Sequence, residues 1–495
     1  MNILYATSEA RPFAASGGLA DVAGSLPAAL KRKGVDCRII MPLYGSIRDD
    51  YQNKLKFVAR IKVALAWRNQ RCNIFKAKHN KVVYYFIEKD SYYERGRLYG
   101  EYDDGERFAF FSLAVLEMLP QLSEEFKPDI IHCNDWQTAL IPIFLSVRHA
   151  KDAFYENIKT VFTIHNIAFQ GDYDFGAFKY VFGLPDEAGG IVDFAGRINL
   201  LKGAIETSYA ITTVSPTYSN EIAGICGGMT GYDFGWGLTW FIKDRAWKLT
   251  GILNGLDSEL NPKTDVNLYK NYEIANYKEG KAANKLELQK RLGLAQRDDI
   301  PLVAIITRID SQQKGCQLLR DAVYGGILYR NDFQLVILGS AADGDREGKE
   351  MEWIFRWQEN QNRGKMVSYI GFVPELAYKI YAAADIYLVP SLYEPCGLSQ
   401  MIALKYGAIP VVRETGGLAD TVTDNTDGNG NGFTFMYYDR NGLEYGINNA
   451  LNCYKDEKQW DALVRRAMAC DFSWDTNSAD EYIKLYEGLV NGASN

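Results

Sequence analysis

The sequence predicts an α/β protein of two doubly wound domains, and three observations carry that expectation. The chain has 495 residues of ordinary globular composition and no repeat of solenoid period, more than one hydrophobic core usually holds. Short apolar runs end in polar residues and pass into helix-prone stretches, as at 2–7, 128–140, 301–306 and 385–389. The pentapeptide Gly17-Gly18-Leu19-Ala20-Asp21 recurs as Gly416-Gly417-Leu418-Ala419-Asp420, each time after such a run and before a helix. Two strand–glycine–helix corners at opposite ends of the chain point to two sheets of one construction, each offering a helix N-terminus to a shared cleft.

The first strand is expected over 2–7, followed by a loop to Ser16 and a helix from the first glycine pair, which Pro27 should end or restart. Strand-like runs alternate with polar turns from 36 to 90, and a helix is expected from Arg107 to Leu119. The run 128–133 then delivers Asn134, Asp135 and Trp136 to the carboxyl edge of its sheet, where ligands bind in open parallel sheets. Asp135 there is either a ligand contact or the cap of the next helix. The run 160–164 delivers His165, one of only four histidines, as a ligand contact or a structural ring. Asn254-Gly255 is a turn signal at the end of a further strand. The domain boundary is placed near 258, with a hinge over 254–261, so that residues 1–258 form the first domain and 259–471 the second. In the second domain the strand 301–306 leads to Arg308 and Lys314, which are solvated loop charges or the cations of an anion site.

Composition excludes several classes. A net charge of −7 with both signs dispersed argues against a nucleic-acid groove, so an anionic ligand must be held by local cations. The eight cysteines show no C-x-x-C pair and no zinc spacing, which fits reduced thiols. The N-terminus lacks a basic secretory leader, and no apolar run approaches the ~18 residues of a membrane span. A soluble, cytoplasmic protein without membrane or nucleic-acid partners is expected.

The stretch 391–420 is the chemically richest. Apolar strands lead into glycine corners, and such corners favour phosphate through free N–H groups and the helix dipole. Glu394, just before Gly397, would repel a phosphate placed on it. It is a solvated loop acid, or it serves a neutral hydroxyl-rich group attached to that phosphate, as in a nucleotide sugar. A diphosphate needs more than two helix dipoles, which makes Arg308 and Lys314 candidates.

These residues carry a family resemblance. Ser8-Glu9 with 16–22, His132 to Trp136, His165-Asn166, 213–218, 252–257, Gln313-Lys314-Gly315, Pro390-Ser391 with 394–398, 415–421 and 472–474 resemble, in order, the motifs of bacterial glycogen synthases and plant starch synthases. The resemblance implies a GT-B fold: two Rossmann-like domains facing across a cleft, with a last segment, 472–495, forming a helix that crosses back to the first domain. It implies retaining transfer of glucose from ADP-glucose to the non-reducing end of an α-1,4-glucan. Glu394 would bind the donor glucose, His165 would stabilise developing charge, Asp135 would sit beside the reacting sugar, and Arg308 and Lys314 would bind the diphosphate. Gly17, Gly18, Asp21, Asn254, Cys396, Gly397, Thr415, Gly416 and Gly417 would complete the substrate pocket, with Gly18 and Gly417 bringing backbone donors to phosphates and sugar.

There are departures. The lysine usual before the first glycine pair is Ala15, the histidine that often follows Asp135-Trp136 is Gln137, and one extra residue separates Arg308 from Lys314. Ile402 stands where sister families carry a second glutamate. With one carboxylate placed at the donor sugar, the expected mechanism is front-face transfer, the leaving phosphate accepting the proton of the incoming hydroxyl, with no metal and no cofactor. A UDP-glucose-using enzyme and a glucan-binding protein that has lost turnover are the alternatives.

Overall fold

The computed structural model describes residues 1–225, 232–476 and 478–492. The chain divides into two compact units, Met1–Gly255 with Trp474–Asn495, and Leu256–Ser473. The outward crossing thus lies three residues before the expected 258, and the return lies at 473/474.

Among the described residues the first unit carries a nine-stranded sheet. Its order is Leu249–Gly251, Ala210–Thr213, Lys159–Ile164, Ile130–Asn134, Asn2–Ala6, Asp36–Pro42, Val82–Glu88, Arg68–His79 and Lys56–Leu65. The first seven strands pair in parallel, and the last two form an antiparallel hairpin. The central strands Asn2–Ala6 and Ile130–Asn134 are buried almost throughout, as near-continuous apolar runs covered on both faces require. Strand order reverses about Asn2–Ala6, so the loop after residue 6 and the loop after residue 134 flank the switch point where open sheets bind ligands.

The second unit holds a six-stranded, wholly parallel sheet: Met366–Ile370, Gln334–Gly339, Leu302–Ile306, Ile386–Val389, Ile409–Arg413 and Phe433–Phe435. Its switch point falls between Leu302–Ile306 and Ile386–Val389, which lead into the loops carrying Arg308 with Lys314 and Glu394 respectively.

Three expectations change. Pro27 lies inside one continuous helix, Gly18–Arg32. The missing N–H costs a single bond, while Leu19, Val22, Ala23, Leu26 and Leu30 bury a common face that keeps the helix whole. The helix expected over 107–119 extends to Asp104–Leu122. The last helix begins at Ser478, not near 472: Leu256 donates its N–H to the carbonyl of Phe472 (2.7 Å) and forms a β-bridge with Ser473. The helix Ser478–Val490 packs within the first unit, where Tyr486 meets His132 Nδ1 at 2.7 Å and Asp480 pairs with Lys33 at 2.8 Å. No helix among the described residues is long and apolar enough to cross a membrane.

Candidate functional site

Glu394 is not a solvated loop acid: it is buried, with one carboxylate oxygen accepting from Lys314 Nζ (2.7 Å) and Ser391 Oγ (3.0 Å). The loop that brings Lys314 there is organised by Asp310. One Asp310 oxygen accepts the backbone N–H groups of Gln312, Gln313 and Lys314 (3.2, 2.7 and 3.0 Å), and the other accepts from Arg308 Nε at 3.1 Å. Arg308 also reaches Gln313 Oε1 at 3.1 Å, and more than half of its side chain is exposed. The loop is tied to that of Glu394 by Leu392 N–H to the Gln313 carbonyl (2.8 Å). From the neighbouring strand the buried Arg413 donates to the Ser391 carbonyl at 3.0 Å and to the Leu392 carbonyl. A charged guanidinium thus fixes the turn two residues ahead of Glu394.

The corner after this strand is closed. Gly417 donates its N–H to the carbonyls of Glu394 (3.1 Å) and Pro395 (3.2 Å). A Cβ on Gly416 would stand 1.9 Å from the Glu394 carbonyl, and one on Gly417 2.2 Å from the Cys396 carbonyl. Thr415 and Cys396 are buried in the same contact. The Gly417 N–H, expected from the sequence to face a ligand, is here engaged with the Glu394 loop. Gly397 lies at φ +71°, beside Gln400, whose amide donates to its carbonyl at 2.8 Å.

In the first unit, Asp135 does not cap the following helix. Its carboxylate accepts the N–H of His165 at 2.7 Å and a backbone bond from Asn166. Its backbone sits at φ 55°, ψ 178°, a conformation costly outside glycine and typical of residues held by their surroundings at functional sites. Desolvation pushes its carboxyl up to about 7, helped by the charge of Glu9 and opposed by those two N–H groups. His165 Nε2 lies 2.9 Å from Asn134 Oδ1. That oxygen also accepts from Tyr5 OH (2.9 Å), while Asn134 Nδ2 donates to Ala6 (3.0 Å), so Nε2 carries the proton. Desolvation lowers the His165 ring to about 3 and keeps it neutral.

The other glycine corner is open. Nothing lies within 4 Å of a Cβ placed on Gly17 or Gly18. The turn is held from beneath by Glu9, a buried acid that accepts the N–H of Ser16, and from the side by Arg11, which pairs with Asp21. Asn254 is buried, and its amide oxygen meets no protein donor among the described residues.

The sequence profile of the starch synthase catalytic domain matches residues 2–243, and that of the group 1 glycosyl transferases matches 289–466. A glycogen synthase of Clostridium botulinum is 46% identical over 495 residues, 99% of each chain. The chain belongs to the glycogen synthase family. A glycogen synthase of Geobacillus stearothermophilus is 44% identical over 99% of this chain and 98% of its own. The catalytic domain of starch synthase IV from Arabidopsis thaliana, solved with ADP and acarbose, superposes with a TM-score of 0.88 at 35% identity, covering 99% of both chains. The expected fold class, GT-B with two Rossmann-like parallel-sheet domains, stands with these likenesses.

For this glycogen synthase family member, the structure gathers the proposed residues into two sets. In the second unit Glu394, Lys314, Arg308, Cys396, Gly397, Thr415, Gly416 and Gly417 lie on loops about one switch point. In the first, Asp135 and His165 touch each other, and Gly17, Gly18 and Asp21 lie on the loop–helix corner after the first strand. Sequence reasoning missed Asp310, Ser391 and Arg413, which act only through tertiary hydrogen bonds. Asn134, already placed at the ligand edge with Asp135, gains its role from the tertiary bonds to His165 and Tyr5. Among the described residues no group of three or more His, Cys, Asp or Glu side chains is arranged to hold a metal.

Proposed function

We propose that this glycogen synthase-type glucosyltransferase moves glucose from ADP-glucose to the non-reducing end of an α-1,4-glucan with retention of configuration. The observation that carries the reading is the Glu394 carboxylate, buried and held by Lys314 and Ser391 beside a closed glycine corner at the second unit's switch point. An acid fixed in this way accepts hydrogen bonds from sugar hydroxyls without drifting into the phosphate. Lys314, already within reach of that acid, and the exposed Arg308 guanidinium supply positive charge for the departing diphosphate.

In the first unit the neutral His165 ring puts no positive charge beside an oxocarbenium-like centre, and Asp135 adds a carboxylate that favours one. The front-face route needs no protein nucleophile. The incoming 4-hydroxyl passes its proton to the leaving phosphate oxygen as the new glycosidic bond forms on the face the phosphate leaves. The deciding experiment assays Glu394→Ala with ADP-glucose and with UDP-glucose, glycogen as primer. A loss of about 100-fold or more is expected, the size of a lost transition-state contact. Near-normal turnover would remove Glu394 from the reaction, and a wild type preferring UDP-glucose would replace the donor.

A further inference from the structure

We propose that Arg11 supplies the positive charge with which the Gly17–Gly18 turn holds the diphosphate of the nucleotide sugar, an assignment that rests on the donor reading above. Arg11 is the only lysine or arginine among the first thirty residues, which contain two acids, Glu9 and Asp21. Both acids belong to this turn: Glu9 accepts the N–H of Ser16, and Asp21 stands in the first turn of the helix Gly18–Arg32. A helix N-terminus offers the equivalent of about half a unit charge, too little to hold a diphosphate against two carboxylates. A cation on this loop would add to the charge of Arg308 and Lys314, and Ala15 cannot provide it.

Arg11 is placed to do so. Its backbone N–H donates to the Ala20 carbonyl at 3.1 Å, which fixes residue 11 against the first turn of the helix. Its guanidinium meets Asp21, and the side chain remains 58% exposed. A guanidinium has five N–H donors in a planar fork, so it can keep Asp21 and still present donors to a phosphate. The open space over Gly17 and Gly18 leaves room for that phosphate to approach the backbone.

The test compares wild type, Arg11→Ala, Arg11→Lys and the double variant Arg11→Ala with Ala15→Lys. Donor KM and kcat are measured with ADP-glucose and glycogen, and ADP affinity by titration calorimetry. Arg11→Ala should raise the donor KM and weaken ADP about tenfold, the order of one lost charge-assisted hydrogen bond, with kcat and the glycogen KM within about twofold. Arg11→Lys and the double variant should both return to within about threefold of wild type. A lysine at 15 cannot rebuild the Arg11–Asp21 contact, so its rescue separates charge supply from a structural brace. An unchanged donor KM in Arg11→Ala, or a loss that Ala15→Lys does not restore, overturns the role of Arg11 while leaving the donor reading intact. A wild type that neither uses ADP-glucose nor binds ADP overturns both.

Discussion

If Asp135 works as an ionised carboxylate, the rate of glucose transfer carries its titration. Desolvation pushes this group up to about 7 against the His165 and Asn166 N–H groups that favour the charged form. A carboxyl at that value is roughly one-tenth ionised at pH 6 and nine-tenths at pH 8, so kcat/KM should rise about ninefold between them. Unfolding curves are a poorer probe. The raised value means that stability is full below an ordinary aspartate's ~3.9 and lost as pH rises towards 7, by at most about 4 kcal/mol. His132 and His165 run the other way: desolvation takes both to about 3, so their stability is full above about 6.5 and lost as pH falls towards 3. The opposed contributions largely offset between pH 6 and 8, whereas the rate isolates Asp135. Initial rates of ADP release from pH 5.5 to 9 are the assay, with Asp135→Asn as control, since asparagine tolerates positive φ better than most residues. The variant should lose about 100-fold at pH 8, within the range for a proton-handling or charge-bearing group, and lose the rising limb. A flat wild-type profile between pH 6 and 8, or an unchanged limb in Asp135→Asn, would refute an ionised Asp135 in the reaction.

Arg413→Gln should lower kcat about tenfold and stability by about 2–3 kcal/mol, because two carbonyls ahead of Glu394 lose a charged donor. Steady-state kinetics with urea unfolding checks this, and a stability loss with normal kcat would reduce Arg413 to a structural role. The two glycine pairs should respond oppositely to alanine. Gly417→Ala, with a Cβ 2.2 Å from the Cys396 carbonyl, should cost roughly 1–3 kcal/mol and activity together. Gly17→Ala should leave the melting temperature within a degree or two while raising the donor KM, and equal destabilisation of both variants would contradict the geometry.

Much of the fold was legible because both sheets are parallel and buried. Leu302–Ile306 and Ile386–Val389 read as apolar runs, and their polar ends mark the edge where ligands sit. What escaped is what depends on distant partners. Pro27 reads as a helix breaker, yet a buried apolar face spanning about three turns outweighs one missing bond. Phe472 reads as the start of a helix, but Leu256 bonds to its carbonyl and bridges to Ser473 instead. Asp310 reads as one more loop acid. Only the folded loop shows three N–H groups converging on one of its oxygens, which is what directs Lys314 to Glu394.

The repeated pentapeptide shows how far identity of sequence fixes identity of role. In both copies the Leu is buried in the first turn of a helix, although the helix starts at the second glycine in the first copy (Gly18) and at the first glycine in the second (Gly416). The glycines differ. Gly416 and Gly417 are required from within, because the backbone of 394–396 occupies the space a side chain would take. Gly17 and Gly18 have no such neighbour, and Gly17 lies at φ −164°, which any residue adopts, so neither packing nor backbone strain explains that glycine. The turn is thus open to approach from outside the chain, and Arg11 is the cation on the same loop. The closed corner therefore sets the position of Glu394, while the open one has no chain atom against it. A phosphate contact by Gly417 N–H would need its bonds to Glu394 and Pro395 to break first, and that rearrangement would displace the carboxylate it is meant to assist.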